Sequence, residues 1–427
     1  MTTIRPRGDS PKVLFLSGLQ IYPTMSGGTL RSSALANALR HHGFDVRVHS
    51  LTGRKADYLA RRPSSMQMWP GGMGEQVDRG VASAAAWLAG YVLGLPPVWI
   101  SAHLAAGAAS PGEALLSAAL REKLSWCDAV VADFPYLYPI FLAPSARGKL
   151  RILSTHNIEH HLWRKPPIRA VVRDLEIRAA RACDILVSCC AEDARFFEAN
   201  APVRQAVVVP NGIDLGRFCG IEAHRAGARR ELGIPDDVML FLFTASKWGP
   251  NREAFEYLLE FAKSHARLLA EERIHILLVG GVTAEPVHLD GFTATGRIDR
   301  VEPYFAAADA ALNPMSSGAG TNVKMCEFIA MRLPIVSTPF GARGLAFEDG
   351  RSGFLFEKDG LAPVLSRVRR LFDQNPPRLK EMADDAYGQN RNAIDMNACA
   401  QVLVEAMGEA WERLRTMKGA PPSLESP

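Results

Sequence analysis

Short apolar runs alternate with helical patterns along both halves of this 427-residue chain. The first run, residues 12–17, is followed by apolar residues at helical spacing from Thr29 to His42. Gly43 ends that pattern before a second apolar run at 44–49. A strand, a helix and a second strand in this order need a crossover connection, which makes the strands parallel and covers the sheet with helices. The alternation therefore restricts the chain to the α/β class.

The alternation continues along the chain and divides it in two. Further strands are predicted at residues 129–132, 150–153, 185–188, 238–244, 274–279, 310–313, 333–337 and 354–356, and further helices at 251–272, 301–308, 321–332 and 395–417. A turn at Pro210-Asn211-Gly212 follows a short strand at 207–209. We therefore expect a first domain at residues 1–206, a second at 207–394, and a C-terminal helix and tail at 395–427 packing back on the first domain.

Both predicted domains are Rossmann-like, that is, doubly wound parallel sheets with helices on their faces. Ligands of such sheets lie beyond the carboxyl ends of the strands. We therefore expect the two domains to face each other across a ligand-binding cleft.

Composition and charge exclude several classes of protein. With 48% hydrophobic and 22% charged residues the chain is globular, and its net charge of +4 gives no sign of the concentrated basic face that nucleic-acid binding needs. No run reaches the roughly 18 apolar residues of a membrane span, and the N-terminus has no apolar signal segment. Seven scattered cysteines without a CxxC pair suit buried free thiols in a reducing compartment. We therefore expect a cytoplasmic protein without nucleic-acid partners.

Basic residues are concentrated near the N-terminus. The run comprises Arg31, Arg40, Arg47, Arg54, Lys55, Arg61 and Arg62. Such a run is typical of a solvated face. The alternative is a patch for a phosphorylated acceptor or for anionic lipid, which would make the chain a peripheral protein at the inner face of the cell membrane.

The loop at residues 316–322 joins a predicted strand to a predicted helix through small residues. Gly318 and Gly320 allow the backbone to approach a ligand closely, and Thr321 can cap the helix. The first N–H groups of a helix have no internal partners and favour an anion in front of them. The loop therefore predicts an anion-binding site.

Lys324 and Glu327 follow this loop on the predicted helix. Lys324 can add a full positive charge to a diphosphate, and Glu327, three residues on, can accept two hydroxyl groups of a ribose. The alternative is a solvent-facing ion pair worth a few tenths of a kcal/mol.

Two further positions lie where ligand contacts are expected. Gly27 and Gly28 precede the first helix and give a second helix start that can receive an anion, although a turn that only lets the helix pack is the alternative. His156 follows the predicted strand at 150–153, and its alternative role is structural. No metal site is expected, because the neighbouring Glu159, His160 and His161 lack the spacing of a zinc motif.

Taken in order, these motifs resemble the group-1, glycogen-synthase-like family of retaining glycosyltransferases, whose GT-B fold consists of two Rossmann-type domains. The resemblance is closest to a subfamily with a Gly-x-Gly-Thr-x-x-Lys-x-x-Glu loop. The resembling pieces are Gly27-Gly28, Thr155-His156-Asn157, Pro210-Asn211-Gly212-Ile213-Asp214, Pro250-Asn251, Val279-Gly280, and residues 296–304, 318–327, 333–338 and 341–345.

The resemblance implies a binding site for a nucleotide-sugar donor. Glu327 matches the glutamate that binds the donor ribose, whereas Ala319 stands where many members have a glutamate for the transferred sugar. Ser246 and Asn251 match the positions of the arginine and lysine that commonly hold the diphosphate. We infer that Lys324 replaces these cations, together with Lys247 or Arg252; the alternative is that donor binding has been lost.

The resemblance also implies an activity. Lys324 and His156 are the expected catalytic residues, with His156 lining the sugar site and the Gly27-Gly28 loop lying over the donor phosphates or the acceptor. The expected reaction is transfer of a sugar from a UDP- or GDP-linked donor to a glycan, lipid-linked or small-molecule acceptor, with retention of configuration and without a cofactor or metal. The alternatives are a nucleotide-sugar epimerase and a non-catalytic binder of nucleotide sugars. A dehydrogenase would need a dinucleotide fingerprint, which the sequence lacks.

Overall fold

The computed structural model describes residues 10–23, 26–51, 64–69, 72–78, 98–298, 300–318, 322–357 and 359–419, with the isolated positions 85, 88, 90 and 92. The described chain forms two compact units. The first consists of Met1–Pro210 and Met396–Pro427, and the second of Asn211–Asp395.

The first unit is built on an eight-stranded sheet. Its strands are β1 (Lys12–Ser17), β2 (Asp45–Ser50), β3 (Ser65–Met68), β4 (Gly74–Val77), β5 (Ala129–Asp133), β6 (Leu150–Ser154), β7 (Ile185–Ser188) and β8 (Ala206–Val208). They lie in the order β3-β4-β2-β1-β5-β6-β7-β8 and are parallel apart from the β3–β4 pair. The Rossmann-like arrangement predicted for this part of the sequence is confirmed.

Helices cover both faces of this sheet. They are α1 (Gly27–His41), α2 (Val98–Ala109), α3 (Ala118–Trp126), α4 (Pro166–Ala182) and α5 (Ala191–Asn200), with short 3-10 helices at Pro111–Glu113, Pro135–Leu142, Pro144–Ala146 and Glu159–Leu162. The C-terminal helix Met396–Gly419 packs on α1, and its apolar residues join the same buried cluster as β1 and β5. The prediction that this helix returns to the first domain is confirmed.

The second unit repeats the plan with seven strands. They are β9 (Met239–Thr244), β10 (Ile274–Val279), β11 (Val287–Leu289), β12 (Phe292–Ala294), β13 (Ala310–Asn313), β14 (Ile335–Ser337) and β15 (Phe354–Leu355). Their order is β11-β12-β10-β9-β13-β14-β15, and only β11 runs antiparallel to its neighbour among the strands described. The doubly wound prediction is confirmed here too.

The helices described in the second unit range from four to 19 residues in length. They are α6 (Arg225–Glu231), α7 (Gly249–Ser264), α8 (Ala266–Glu271), α9 (Glu302–Ala307), α10 (Val323–Ala330), α11 (Pro339–Ala342), α12 (Leu361–Gln374) and α13 (Pro376–Ile394), with 3-10 helices at Leu215–Phe218 and Ile221–His224. The helix expected at 251–272 is therefore two helices, which meet at His265.

The strand at the expected domain boundary belongs to the first unit. Val207 on β8 pairs with Val187 on β7, so the first sheet runs past residue 206 and the first unit ends at Pro210. A valine-rich run next to a turn fits the last strand of one sheet as well as the first strand of the next, and only the pairing distinguishes them.

A buried carboxylate fixes the start of the central strands in the second unit. Asp309 precedes β13 and accepts hydrogen bonds from the backbone N–H of Leu240 at 2.8 Å and from Nη1 of Arg229 at 3.0 Å, and it also pairs with Arg225. Arg229 is itself buried and donates to the carbonyl groups of Pro235 and Val238. The network holds α6 at the edge of the sheet where β9 and β13 begin.

The replacement Asp309→Asn tests this network. Removing the negative charge leaves the buried Arg229 guanidinium with only the exposed carboxylate of Asp236, 3.8 Å from its Nε atom, and breaking a buried ion pair typically costs about 3–5 kcal/mol. We expect the urea-unfolding midpoint of the second unit to fall accordingly. Asp373, in a half-exposed pair with Arg369 on α12, is the matched control, and Asp373→Asn should change the unfolding free energy by about 0.5 kcal/mol or less. Equal effects of the two replacements would contradict the structural role of Asp309.

Candidate functional site

In the second unit the predicted donor-site residues gather at the carboxyl ends of β9 and β13. These two strands are neighbours at the centre of the sheet, and the strand order reverses there. Ser246 and Trp248 follow β9, and Gly318 follows β13. The point of reversal is where doubly wound sheets bind ligands.

Three of the predicted residues form one chain of hydrogen bonds. The side-chain amide of Asn251 donates to the backbone carbonyl of Ser246 at 2.9 Å and to its hydroxyl at 3.2 Å. The amide oxygen of Asn251 accepts a hydrogen bond of 2.8 Å from the Lys324 ammonium. Ser246 and Asn251, which stand where the family commonly has cations, thus hold the lysine on the neighbouring loop–helix.

The Lys324 ammonium is half-buried over an aromatic ring. It lies 4.2 Å from the centre of the Phe243 ring, a cation–π contact. Burial lowers the pKa of Lys324 to about 7, against which the charge of Glu327 acts only in part. Within the described residues the ammonium makes no ion pair with Glu327, so the alternative of a solvent-facing surface pair is wrong.

Glu327 lies one turn further along α10 and is also half-buried. Burial raises the pKa of Glu327 to about 7, the charges of Arg217 and Lys324 lower it, and the charge of Glu302 raises it. Arg217 donates to Glu302 at 3.3 Å. The carboxylate therefore lies in a partly desolvated position where hydroxyl donors from a ligand would stabilise its charged form.

Gly318 lies beside the side chains of Trp248 and Arg343. Its φ of +138° is a conformation that favours glycine, and a Cβ atom placed there would lie 3.0 Å from the Trp248 ring and 3.8 Å from Nη2 of Arg343. Gly320 and Thr321, predicted as donor-site residues, lie outside the described residues. The helix begins at Val323 with Asn322 in the N-cap position, rather than at Thr321, which places Lys324 in the first turn.

In the first unit His156 lies where it was expected, at the carboxyl edge after β6. Its Nε2 atom is 2.8 Å from Oδ1 of Asp133, and the other carboxylate oxygen of Asp133 accepts a hydrogen bond of 2.6 Å from the Ser32 hydroxyl. Both His156 and Asp133 are buried. Asp133 ends β5, the strand next to β6, and the sequence analysis assigned it no role.

Phe134 and Gly28 complete the surroundings of the imidazole. Phe134 stacks on His156 with ring centres 4.0 Å apart, and its φ of +92° is a conformation rare for an aromatic residue. A Cβ atom at Gly28 would lie 3.6 Å from Nδ1 of His156, whereas Gly27 begins α1. The ring is therefore oriented by Asp133 and Phe134, with the start of α1 beside its other nitrogen.

The neighbouring histidines have structural contacts. Nδ1 of His160 is 2.7 Å from the Glu176 carboxylate, which also accepts the backbone N–H groups of Glu159 and His160. Burial raises the pKa of Glu176 to about 7. No group of three or more metal-ligating side chains occurs in the part of the chain that the structure describes.

The three described members of the basic run near the N-terminus differ in burial. Arg31 is buried and donates to the carbonyl of Pro210 at 2.9 Å, so its placement in a solvated patch is wrong. Arg40 is exposed, and Arg47 lies half-buried over the Trp126 ring. The members at positions 54, 55, 61 and 62 lie outside the described residues. Among the helices described, none has the length and apolarity to cross a bilayer.

Most of the cysteines are buried thiols, as predicted. Cys127, Cys183, Cys189, Cys326 and Cys399 are buried, whereas Cys190 is half-buried and Cys219 exposed. All seven are free.

Two family models match the chain, one in each unit. Residues 239–374 match the model described as Glycosyl transferases group 1, and residues 26–217 match the model described as Glycosyltransferase Family 4. Together the two matches lie in both units and support the group 1 glycosyltransferase family for this chain. The resemblance drawn from the sequence motifs is thereby confirmed.

Two of the curated relatives of this chain carry the name D-inositol 3-phosphate glycosyltransferase. The protein from Geodermatophilus obscurus is 28% identical over 273 residues, which cover 58% of each chain. The protein from Streptomyces scabiei is 32% identical over 263 residues, covering 54% of this chain and 56% of the relative. The chain thus spans little more than half the length of the curated relatives it matches.

Solved structures share the fold of this chain. Anabaena Alr3699/HepE, crystallised with UDP and glucose, superposes with a TM-score of 0.62 over 93% of this chain and 99% of its own, at 14% identity. At that identity the similarity shows a common fold, and it agrees with the two Rossmann-like units described above.

The burial of Lys324 predicts a pH-dependent contribution to stability. Its folded pKa lies below the ordinary value of 10.5, so between about pH 7 and pH 10 the unfolded chain binds more protons than the folded chain. Stability contributed at this position therefore rises with pH across that window. Relative to Lys324→Met, the wild-type unfolding free energy should increase from about pH 8 to pH 10.

Urea denaturation at several pH values measures this difference. Lys263→Met, at an exposed position of α7, is the control and should show no such trend relative to wild type. A wild-type-minus-Lys324→Met difference that stays constant from about pH 8 to pH 10 would show that the ammonium is not desolvated.

Proposed function

We propose that this group 1 glycosyltransferase transfers a sugar, of the hexosyl type, from a UDP- or GDP-linked donor to an acceptor. The observation that carries the proposal is the chain of hydrogen bonds from Ser246 through Asn251 to Lys324. It sets a lysine beside the two positions where the family resemblance expects the cations of the diphosphate site. The Anabaena structure, which contains UDP and glucose, supports the donor class.

In the proposed reaction this site has to stabilise the leaving group. As the bond between the sugar and the diphosphate breaks, negative charge grows on the phosphate oxygens, and preorganised cations and N–H groups lower the barrier to that step. Lys324 in the first turn of α10 offers such a charge. Glu327, one turn on, is suited to accept the hydroxyl groups of the ribose.

The first unit supplies the second part of the proposal. His156 is oriented by Asp133 and stacked on Phe134, which suits contact with the transferred sugar or the acceptor hydroxyl. Retention of configuration is proposed from the family resemblance alone. We propose no carboxylate nucleophile for a double displacement.

The acceptor is proposed as a glycan, a lipid-linked sugar or a small molecule. A lipid-linked acceptor would bring the chain to the inner face of the cell membrane. Of the basic residues near the N-terminus that the structure describes, Arg40 is the exposed candidate for contact with anionic lipid.

Two alternatives make different predictions. An epimerase would consume the donor without an acceptor, but the matching family models and the relatives above are named for glycosyl transfer, which favours transfer. A non-catalytic binder of nucleotide sugars is motivated by Ala319, Ser246 and Asn251. It predicts tight donor binding without turnover over a broad acceptor panel.

The replacement Glu327→Ala tests the donor site. We expect the affinity for the donor nucleotide to fall about tenfold or more, because each hydrogen bond to a charged group is worth roughly 1.5–3 kcal/mol. Thermal-shift screening of UDP- and GDP-sugars identifies the donor, and calorimetric titration measures its affinity. Glu271→Ala, at a surface position of α8 paired with Arg267, is the control. Unchanged donor affinity in Glu327→Ala would exclude the ribose contact, and no stabilisation by any nucleotide sugar would exclude the proposed function.

The replacement Asp133→Asn tests the role of His156. Asparagine keeps the size of the side chain but removes the charge that orients the imidazole, so we expect turnover to fall by about a hundredfold, the scale of a positioned proton-transfer group. The affinity for UDP or GDP should stay within about twofold, since Glu327 and Lys324 are untouched. Asp174→Asn, at an exposed position of α4, is the control. Wild-type turnover in Asp133→Asn would remove His156 from the proposed mechanism.

A further inference from the structure

Arg343 reaches the candidate donor loop from a third strand. It follows α11, which begins after β14, and the sequence analysis gave it no role. Its Nη1 atom donates to the carbonyl of Phe340 at 2.8 Å, and its guanidinium lies 3.7 Å over the centre of the Phe340 ring. The other terminal nitrogen, Nη2, lies 3.8 Å from the point where a Cβ atom of residue 318 would stand.

Two contacts with Phe340 therefore hold this side chain beside Gly318. An arginine that is stacked on an aromatic ring and anchored to a backbone carbonyl loses little further freedom when it binds a ligand. A Cβ atom placed at residue 318 would also lie 3.0 Å from the Trp248 ring. A side chain at position 318 would therefore be crowded by the indole and would contact the guanidinium.

The surroundings of Arg343 disfavour the charged form of its guanidinium. The side chain is half-buried, and burial lowers the pKa of its guanidinium. An anion bound at the loop would offset that cost by stabilising the charged form. A guanidinium also matches the geometry of two phosphate oxygens at once, which an ammonium does not.

The other cations considered for this role have different surroundings. Arg252 pairs with Glu256 one turn along α7, and the Arg252 side chain is 61% exposed. Lys247 is exposed. The three atoms nearest to a Cβ atom placed at residue 318 include Nη2 of Arg343 and none of Arg252 or Lys247.

We propose that Arg343 is a donor-binding residue that contacts the diphosphate and, together with Lys324, takes over the role of the cations that the family commonly has at positions 246 and 251. This inference rests on the proposed function of the same site. It assigns the two positive charges of the phosphate site to loops that follow β13 and β14, instead of the loop that follows β9.

The experiment compares ligands that differ only in the diphosphate. UDP and GDP are titrated into the full-length chain by calorimetry, and uridine and guanosine are measured by competition. Arg343→Ala should weaken binding of the preferred nucleoside diphosphate by about ten- to a hundredfold, since a hydrogen bond to a charged group is worth roughly 1.5–3 kcal/mol. Affinity for the matching nucleoside should stay the same. Arg343→Lys should restore part of the loss, because it keeps the charge but not the paired geometry.

A surface arginine provides the matched control. Arg267→Ala removes a guanidinium from the same unit at a position that is 89% exposed and should change neither affinity. If Arg343→Ala binds the diphosphate as wild type does, the inference is wrong and the proposed function stands. If it loses nucleoside and diphosphate affinity equally, Arg343 only shapes the loop, and the inference is again wrong. Wild-type chain that binds neither UDP nor GDP overturns both.

Discussion

The parallel pairing of the central strands is the constraint on which both candidate sites depend. Parallel neighbours need crossover connections, so every loop that leaves the carboxyl end of a strand opens at the same edge of the sheet. Because β9 and β13 are adjacent, Asn251 and Lys324 can form a hydrogen bond although 73 positions separate them in sequence. The same geometry brings Asp133 at the end of β5 to His156 after β6 in the first unit.

The same geometry lets the proposed phosphate site take its cations from loops other than the one after β9. The loops that follow β9, β13 and β14 all leave the sheet at one edge, so cations on them can lie close together although they are remote in sequence. Asn251 holds Lys324, and the anchoring of Asn251 on Ser246 fixes which of its amide atoms faces the ammonium. Arg343, beside Gly318, is the second cation proposed for the site.

Much of the fold could be predicted from the sequence because the central strands are continuous apolar runs that neighbouring residues delimit. Residues 12–17, 185–188, 274–279 and 310–313 were predicted with the bounds that the structure has. Two strands at one margin of each sheet were not predicted. β3 alternates half-buried and exposed residues, β4 alternates half-buried and buried residues, and β11 and β12 have three residues each. Such segments acquire their identity from pairing with a neighbour, which a local pattern does not contain.

For the candidate sites, the residues predicted from the sequence were those with a recognisable motif around them. Lys324, Glu327 and His156 belong to such motifs. Asp133, Phe134 and Arg343 do not, because their roles come from contacts made between strands that are distant in sequence. An aspartate that ends an apolar strand next to the strand before a candidate histidine is nevertheless a signal that sequence could offer, once the strand order is known.

Two ionisable groups of the proposed donor site, Lys324 and Glu327, lie in surroundings that disfavour their charged forms. Burial brings the pKa of Lys324 down and that of Glu327 up, both to about 7, so near neutral pH each group is only partly charged. A diphosphate beside the lysine favours its protonation, and ribose hydroxyls beside the glutamate favour its ionisation. At pH 7 the proton that the lysine takes up offsets the proton that the glutamate releases, so a donor that charges both groups binds there with little net exchange of protons. Below that pH the glutamate must release more protons than the lysine gains, and above it the lysine must gain more than the glutamate releases. The affinity for the proposed donor should therefore be greatest near pH 7 and fall on either side.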